Sequence, residues 1–579
     1  MRTVLSIILL LLSFSIAKAQ NWYADSSLSW SNYYQLASPS NEKLGLYSAN
    51  YFSGHFIPKI NVAESRYALF STVPIQQSFD FSLDYDGLAV SDVKFLSGFG
   101  EGQALRVLHQ QRLNKHKLLG NFYANRSSGL MRNQSLKHTQ LGLKIEGPIS
   151  KRFSYKSKAF VGSYEQQLNG GLSNDSVLFN EINQFELLSV NLLNAKQIHR
   201  DREAMLKLMY GFKGQYSNDS IPQFLSWKHH IYFKAKYKSN SRVFTDQSLN
   251  ADFYPAIYLD SALSNDCTLV SNFSQSIGAS FNNGSGGSLQ FELDHTYRSF
   301  YAISAGGGQS DVRIKARVKS PKGEENKYGL EANYALYGYF LGDYKLAVQN
   351  EKKILGELSY FAQLKLLKQQ ALPFYSSYLS NHQFWNKSLK NEQHRELELG
   401  LKGYGLTAKL FYRNSSNYIY FNRESIHQLD ENLQVVGLSA QADVRIGRFQ
   451  LLQQLSLQRG SNAVFNLPST ISRSAASVEF KVFKADIPIR LGLDYLYIDG
   501  LANAFYSPSL GRVVYQEGTS YEALHRIDAI LAMQVKTVRV YVKANNLLSL
   551  LTESRQLYLP GYMLSPTNVQ LALSWRVFD

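Results

Sequence analysis

The sequence predicts an all-β protein, a large antiparallel transmembrane β-barrel of roughly 18–22 strands with short periplasmic turns and long extracellular loops. Two observations carry this prediction. Apolar and polar residues alternate with a period of two over much of the chain, and short connections alternate with long ones between the alternating segments. Beyond the first residues, no apolar run approaches the length of a helix that crosses a bilayer.

The alternation identifies the strands, because successive side chains of a strand point to opposite faces. It is clearest in five segments: FDFSLDYD (79–86), YFKAKYKS (232–239), DVRIKARVKS (311–320), RVYVKA (539–544) and NVQLALSWRV (568–577). In the last of these, Trp575 shares the apolar phase and Arg576 the polar one. Helical periodicity is hard to find, and 177–208 is the best candidate for a helix.

The connection lengths favour a membrane barrel over a soluble sandwich. Four tight turns are predicted toward the C-terminus: Lys536-Thr537, Lys484-Ala485-Asp486, Gly447-Arg448 and Gly403-Tyr404-Gly405. Between them lie long polar and aromatic stretches, at 546–567, 499–524, 459–473, 421–434 and 370–392. The segments left over are long enough to cross the hydrocarbon at a tilt. Ten strands fit between about 355 and 578, and the total is expected to be even.

Glycine-rich segments are interpreted as turns. Gly98-Phe99-Gly100-Glu101-Gly102 resembles a phosphate-binding loop only superficially, since it lacks the GxxxxGK[ST] spacing and opens no helix. NNGSGG (282–287) and AGGGQ (305–309) are also turns by composition.

The N-terminus predicts export. Arg2 precedes an apolar run from Val4 to Ile16, and Ala17-Lys18-Ala19 places small residues where a signal peptidase cleaves. We therefore expect a signal peptide over 1–19, an N-terminal segment over 20–75 that extends into the lumen or forms the first strands, and the barrel over 76–579. Cys267 is the single cysteine, so an internal disulfide is excluded.

The charge balance favours an anionic partner. Lys and Arg number 61 against 45 Asp and Glu, a formal net charge of +16. On the lipid face each Lys or Arg at mid-membrane would cost on the order of 2–4 kcal/mol, so the basic rows must face the lumen or lie above the membrane. The candidate pore-lining residues are Lys234, Lys236, Lys238, Arg313, Lys315, Arg317, Lys319, Arg539, Lys543, Asp80, Asp84 and Asp86.

Two alternatives stay open for these residues. The basic rows either give the lumen a positive potential or form a solvated face without selectivity, because facing acidic strands could cancel the field. Asp80, Asp84 and Asp86 form either an acidic patch inside the barrel or, less favoured, a site for a hard cation such as calcium.

Two regions resemble a known family. The segment 98–135 has glycines at 98, 100 and 102, then Gln103, the pair His109-Gln110, Ser128-Gly129 and Asn133-Gln134. Together with the closing segment that ends Ser-Trp-Arg-Val-Phe-Asp, this pattern resembles the putative porin family of Bacteroidota outer membranes. The resemblance implies a barrel and passive transport, and no particular substrate.

No motif indicates catalysis. His109, His116 and Ser127 are residue types of a nucleophilic site, but no GxSxG or HExxH motif accompanies them. We expect no enzymatic activity, no cofactor and no metal.

The sequence thus favours an outer-membrane porin for passive diffusion of small polar solutes. If the basic rows give the lumen a positive potential, these solutes include anions. One alternative is a barrel like a TonB-dependent receptor but without a full plug, because strand alternation begins by about residue 79 and leaves too little chain for a plug domain. The other is a secretion-associated or structural barrel. Expected partners are outer-membrane lipid and lipopolysaccharide, the barrel-assembly machinery and small polar solutes. Export disfavours nucleic acid, and the oligomeric state is open, a homo-oligomer included.

Overall fold

Twenty-two antiparallel strands close into one barrel in the computed structural model. It describes residues 89–98, 102–174, 185–212, 229–283, 286–302, 305–321, 323, 325–465, 468–482, 487–499, 502–520, 522–551, 556–559 and 561–578. The wall strands are β1 Ala89–Gly98, β2 Gly102–Leu113, β3 His116–Ser127, β4 Leu136–Pro148, β5 Phe153–Gln167, β6 Lys196–Gly211, β7 His229–Asp246, β8 Ser264–Asn282, β9 Ser288–Ala302, β10 Ala305–Lys319, β11 Asn326–Gly338, β12 Tyr344–Leu355, β13 Leu358–Gln369, β16 Glu392–Gly403, β17 Leu406–Ser416, β20 Leu433–Ile446, β21 Phe449–Gly460, β22 Thr470–Val482, β23 Ile487–Ile498, β26 Leu524–Val535, β27 Val538–Asn545 and β30 Asn568–Phe578.

The barrel closes where β1 pairs with β30, from Val90 opposite Phe578 to Gly98 opposite Gln570. We call this pairing the closing seam. Closure leaves no row of unpaired backbone groups, which is what a sheet inside lipid requires. The even strand number and the predicted range are confirmed.

Eight short strands form four hairpins outside the wall. They are β14 Ser377–Leu379 with β15 Phe384–Asn386, β18 Ile419–Phe421 with β19 Ile426–Gln428, β24 Ala502–Ser507 with β25 Arg512–Ser520, and β28 Leu557–Leu559 with β29 Tyr562–Met563. A helical turn, Pro373–Ser376, precedes the first hairpin, and short 3-10 turns occur at Phe185–Leu187, Ala463–Phe465 and Leu547–Leu550. Within the described residues, no helix has the length and apolarity needed to span a membrane.

The connection pattern in the C-terminal half is as predicted where it is described, and the predicted turn Lys484-Ala485-Asp486 lies outside the described residues. Ten wall strands, β13 to β30, occupy 358–578. The connections at Tyr404-Gly405, Gly447-Arg448 and Lys536-Thr537 are tight, and the long ones lie at the opposite end of the barrel. We call these ends the turn end and the loop end. Both the start of β1 and the finish of β30 lie at the turn end.

Two local predictions are wrong. AGGGQ (305–309) is not a turn but the start of β10, where Gly306 and Gly307 pair with Tyr301 and Phe300 of β9. A Cβ on Gly307 would lie 3.0 Å from the Phe300 ring, so the glycines leave room for aromatic side chains of the neighbouring strand. The helix considered over 177–208 is also not formed where it is described, because 196–208 belongs to β6, paired along its length with β5 and β7.

The two faces of the wall differ in exposure. On β30, Val569 and Trp575 are 39% and 50% exposed, whereas Gln570 and Ser574 of the opposite phase are 8% and 5% exposed. The exposed phase is apolar and therefore forms the outer, lipid-facing surface, and the buried phase forms the inner face. Exposed aromatic residues lie near both ends of the outer surface, such as Tyr404 at the turn end and Tyr337 at the loop end.

The predicted segments 1–19 and 20–75, and residues 76–88 of the predicted barrel, lie outside the described residues, as do Asp80, Asp84 and Asp86. Their assignment stays a prediction. The described barrel starts at Ala89.

Candidate functional site: the barrel lumen and the loop layer

Buried acidic side chains accompany the basic row of β7. Lys234 Nζ lies 3.0 Å from Glu292 Oε2 of β9, and Lys236 Nζ lies 3.7 Å from Glu203 Oε1 of β6. Lys238 is 9% exposed. In the other phase of the strand, Phe233 and Tyr237 are each 42% exposed on the outer surface. The β7 lysines therefore share the inner face of the wall with carboxylates of neighbouring strands.

The row on β10 follows the same arrangement. Arg313, 6% exposed, reaches Asp311 at 3.4 Å, and Lys315 Nζ lies 3.1 Å from Glu292 and 3.0 Å from Asp294. Arg317 lies 3.7 Å from Glu331, and both side chains are partly exposed. Ile314, in the other phase, is 45% exposed.

Three further basic residues of the predicted site, Lys319, Lys543 and Arg539, lie on β10 and β27. Lys319 ends β10 at the turn end and has no ion pair among the described residues. On β27, Lys543 is buried 2.8 Å from Asp528 of β26, and Arg539 Nε donates to Gln534 Oε1 at 3.4 Å. That all of these residues line a solute pathway stays a prediction.

The ion pairs decide how much charge the basic rows present. Carboxylates are within 4 Å of Lys234, Lys236, Arg313, Lys315 and Arg317. Opposite charges at these distances cancel most of each other's field a few ångströms away. The rows on β7 and β10 therefore give the lumen a polar wall with little net potential of its own.

A second structure, which we call the loop layer, lies at the loop end. It consists of the described residues of the connections 128–135, 168–195, 247–263, 370–391, 417–432, 499–523 and 546–567. Two apolar clusters hold it together and against the wall. One contains Leu192, Phe244, Tyr506 and Tyr562, and the other contains Phe340, Trp385, Ile426 and Leu510, all at most 2% exposed. Burial of this depth indicates a packed assembly rather than independent loops.

The hairpin β24–β25 crosses the barrel. It leaves the wall between β23 and β26, the nineteenth and twentieth wall strands, and its tip lies against β7, the seventh. Nearly half the circumference separates these positions. At the tip, Arg242 of β7 donates through Nη1 to the carbonyl of Ser509 at 2.7 Å and through Nη2 to that of Pro508 at 2.8 Å. Gln383 Nε2 donates to Ser509 Oγ at 2.6 Å.

The tip requires a glycine. Gly511 has a φ of 63°, in the left-handed region, and a Cβ there would lie 2.8 Å from Gln197 Oε1 and 3.0 Å from Arg242 Nε. Both the backbone conformation and the close approach of the wall exclude a larger side chain. The bound tip therefore depends on Gly511 and Arg242 together.

Cationic side chains join neighbouring hairpins in the loop layer. The Arg423 guanidinium lies 4.3 Å from the centre of the Phe505 ring, and that of Arg512 lies 4.2 Å from the Phe421 ring. Arg423 also donates to the Phe253 carbonyl at 2.7 Å. These reciprocal contacts tie β18–β19 to β24–β25 through desolvated cation–π pairs.

A buried polar network anchors the connection 370–391 to the wall. His382 stacks on Tyr254 with ring centroids 3.7 Å apart, and its Nε2 lies 2.6 Å from Ser264 Oγ. The Tyr254 hydroxyl donates to Asp246 at 2.7 Å. Burial lowers the pKa of His382 and raises that of Tyr254, because both charged forms lose water. The Ser264–His382 pair is buried, so its hydrogen bond serves the packing of the layer.

The comparison with protein families decides the family. A family profile described as "Putative porin" matches residues 89–579, the whole described barrel. The chain belongs to this family. The predicted family and the predicted barrel are thereby confirmed, and the chain is an outer-membrane β-barrel. No curated protein matches it.

Solved structures similar to this porin-family barrel are outer-membrane receptors and transporters. The siderophore receptor PirA from Acinetobacter baumannii has a TM-score of 0.60 at 9% identity, covering 86% of this chain and 81% of that one. The FrpB iron transporter from Neisseria meningitidis gives 0.59 at 8%, with 85% and 83% covered. The ferripyoverdine receptor of Pseudomonas aeruginosa gives 0.59 at 10%, with 85% and 72% covered. Identities this low show a shared fold alone.

The residues that carry the family resemblance have a structural role in this porin-family barrel. Asn133, in the connection between β3 and β4, donates through Nδ2 toward the carbonyls of Leu168, Leu192 and Ala195 at 3.0–3.2 Å. Gln134 Oε1 accepts from two backbone amides of its own turn at 3.1 Å. The pair thus fixes one connection of the loop layer to another.

The residue types considered for catalysis are not brought together. His116 and Ser127 are the first and last residues of β3, and His109 lies 2.9 Å from Ser91 on the neighbouring strand. The described residues contain no group of three or more His, Cys, Asp or Glu side chains placed to hold a metal ion.

Sequence reasoning missed Arg242, which continues the inner phase of the Lys234, Lys236 and Lys238 row toward the loop end. Extending the alternation by four residues would have identified Arg242 as an inner residue. The hairpin tip that it binds is more than 260 residues away in sequence, and no local pattern indicates that contact.

Proposed function

We propose that this outer-membrane barrel is a diffusion porin whose loop-end entrance is narrowed by the loop layer, and that it passes small polar solutes. The supporting observation is the crossing of a polar-walled, 22-stranded barrel by the β24–β25 hairpin, held at its tip by Arg242. A barrel of this strand number would otherwise enclose a wide aqueous lumen. The hairpin divides that width at the loop end.

The wall chemistry defines the class of solute. Charged residues of both signs alternate around the inner face, as in the pairs Arg473–Asp494 at 2.8 Å and Lys409–Glu398 at 3.0 Å. Such a wall can form hydrogen bonds with polar solutes in place of water. It binds neither cations nor anions tightly, which favours diffusion. The narrowing suits solutes small enough to pass beside the hairpin. Export by cleavage near Gln20 belongs to the same proposal, and N-terminal sequencing of the mature protein tests it.

A second candidate is a substrate receptor. The observation that favours it is the shared fold with siderophore receptors over more than four fifths of this chain. A receptor would bind its ligand tightly and saturably and would conduct no ions in its resting state.

Conductance in planar lipid bilayers separates the candidates. Purified full-length protein is expected to give steps of ion conductance, and a variant with 502–520 replaced by a Gly-Ser linker is expected to give larger ones. The control replaces 149–152, an exposed connection at the turn end between β4 and β5, and should leave the step size unchanged. Folding of each variant is checked by its heat-modifiable migration in detergent gels. Absence of conductance from wild type and from the hairpin variant would overturn the porin proposal.

A further inference from the structure

Two cations face each other on the inner wall, and among the described residues Asp92 is the carboxylate whose charge acts on both. Lys94 of β1 and Arg106 of β2 are directly opposite in the strand register. Directly opposite side chains have Cβ atoms about 4.5–5.5 Å apart. Both side chains are half-buried, and among the described residues neither makes an ion pair or hydrogen bond. Like charges in this position destabilise a sheet.

This pair differs from the ion-paired cations of the lumen. Lys365 is matched by Glu396 at 2.6 Å and Arg473 by Asp494 at 2.8 Å, whereas Lys207, directly opposite Lys156 and Lys234 in the register, contacts the Tyr232 ring instead of a carboxylate. Removing a cation from water is costly unless an anion or several acceptors compensate. Lys94 and Arg106 share the charge of Asp92, which also binds Arg576, so their charges are compensated only in part.

Further cations surround the pair across the closing seam. Ser574 of β30 lies directly opposite Lys94 on one side and directly opposite Arg539 of β27 on the other. One register step toward the turn end, Arg576 binds Asp92 at 3.2 Å. Arg576 Nε is buried and has no hydrogen-bond partner in the described part of the chain. Among the described residues, four cations thus accompany one carboxylate, of which Oδ2 binds Arg576 and Oδ1 is buried without a hydrogen-bond partner.

We propose that Lys94, Arg106, Arg539 and Arg576 form an oxyanion-binding site on the lumenal face of the closing seam. The bound group is a solute bearing a phosphate or carboxylate. Its negative oxygens supply the charge that the wall lacks between Lys94 and Arg106, and they offset the repulsion across the strands. This inference rests on the proposed porin function, because the closing seam would then provide a binding site for oxyanions along their diffusion pathway through the lumen.

The donor set suits oxygens better than a monatomic halide. Arginine presents paired N–H groups in a planar fork that matches two oxygens of one phosphate or carboxylate, and lysine adds a point charge from the facing strand. Ser574 adds a hydroxyl between Lys94 and Arg539. Asp92 reduces the net charge and so keeps binding weak enough for release, as conduction requires.

The site also lies apart from the loop layer. Asp92 and Arg576 are toward the turn end of the seam, whereas the loop layer lies at the other end of the strands. A solute that has passed the β24–β25 hairpin would therefore meet the oxyanion site afterwards. Size selection and charge selection would be separate in space.

Inorganic phosphate is the probe for the test. Full-length protein in detergent is expected to bind radiolabelled phosphate saturably in equilibrium dialysis, and phosphate is expected to reduce its KCl conductance in bilayers. In the variant K94Q/R106Q the half-saturating phosphate concentration should rise by about tenfold or more, because charged hydrogen bonds contribute roughly 1.5–3 kcal/mol each. The control K365Q/K409Q removes the same charge from ion-paired positions and should bind phosphate like wild type.

The outcomes separate the two proposals. Conductance without phosphate binding, or equal binding by wild type and K94Q/R106Q, would overturn the oxyanion site and leave the porin. Phosphate binding without conductance would overturn the porin and keep the site. If phosphate binds only after Asp80, Asp84 and Asp86 are replaced by Asn, the occupant is a carboxylate of this chain, and the solute site is refuted. R539Q provides an independent variant should K94Q/R106Q fail to fold.

Discussion

Arg242 on the wall strand β7 donates its two terminal guanidinium nitrogens to the carbonyls of Ser509 and Pro508, at the tip of a hairpin rooted on the far side of the barrel. The guanidinium lies over Phe244 and is only 5% exposed. Hydrogen bonds of this kind are strong because the donor is charged and water is excluded. The contact therefore fixes the hairpin across the lumen.

Replacing Arg242 by Met is expected to release the tip. Methionine keeps packing over Phe244 but leaves two buried carbonyls without donors, which weakens docking by about 3 kcal/mol. The conductance of R242M should be larger and noisier than that of wild type, and protease should cut near Pro508. K390A, which removes an exposed side chain of the loop layer, is the control and should change neither. Wild-type conductance and protease resistance in R242M would contradict this role.

Gly511→Ala tests the same contact from the hairpin side. The added Cβ would press on Gln197 and Arg242 at 2.8–3.0 Å, and the φ of 63° adds backbone strain. Gly518→Ala is the matched control, because its φ of 82° gives the same kind of strain but nothing lies within 4 Å of its Cβ. The difference between the changes in step conductance caused by G511A and by G518A measures the effect of the close contact alone. Equal effects of the two substitutions would show that strain alone matters.

The docking of 370–391 is expected to weaken in acid. Burial lowers the pKa of His382 below its ordinary value of about 6.5, so the docked state holds His382 neutral. The undocked state binds a proton more readily, so docking stability is full above pH 6.5 and is lost as pH falls below it. Asp246, Tyr254 and Asp266 are the titratable groups nearby, and Asp246 partly opposes the effect of burial by favouring the charged imidazole.

Hydrogen exchange at pH 7.5 and pH 5 measures this loss. Amides of 377–386 should exchange faster at the lower pH in wild type. In H382Q the exchange should be fast at both pH values, after correction for the intrinsic pH dependence of exchange. An acid response in H382Q as large as in wild type would assign the effect to Asp246 or Asp266 instead.

Period-two alternation predicted the wall well and the lumen only in part. The phase of Trp575 and the ten C-terminal strands follow from side-chain direction, which is a local property of a strand. The acidic partners of the basic rows cannot be predicted from side-chain direction, because Lys234 and Glu292 are 58 residues apart and belong to β7 and β9. The loop layer was the least predictable part, because apolar side chains from seven separate connections pack there without any periodicity. The prediction of a turn at AGGGQ (305–309) was wrong for a related reason. These glycines leave space for aromatic rings of the neighbouring strand and do not form a turn.

The ion pairing of the basic rows makes a final prediction about Glu292. This carboxylate lies 3.0 Å from Lys234 and 3.1 Å from Lys315, so Glu292→Gln leaves Lys234 without an acidic partner and makes the inner wall more positive. One unit charge at roughly 10 Å in water contributes about 0.4 kcal/mol. Chloride is favoured and potassium disfavoured by this amount, so the chloride-over-potassium permeability ratio should rise about fourfold. Reversal potentials in a KCl gradient measure this ratio. E351Q removes the same charge from the exposed pair with Lys327 and is expected to shift the ratio less. An equal shift in both variants would mean that net charge, rather than the lumenal position of Glu292, sets selectivity.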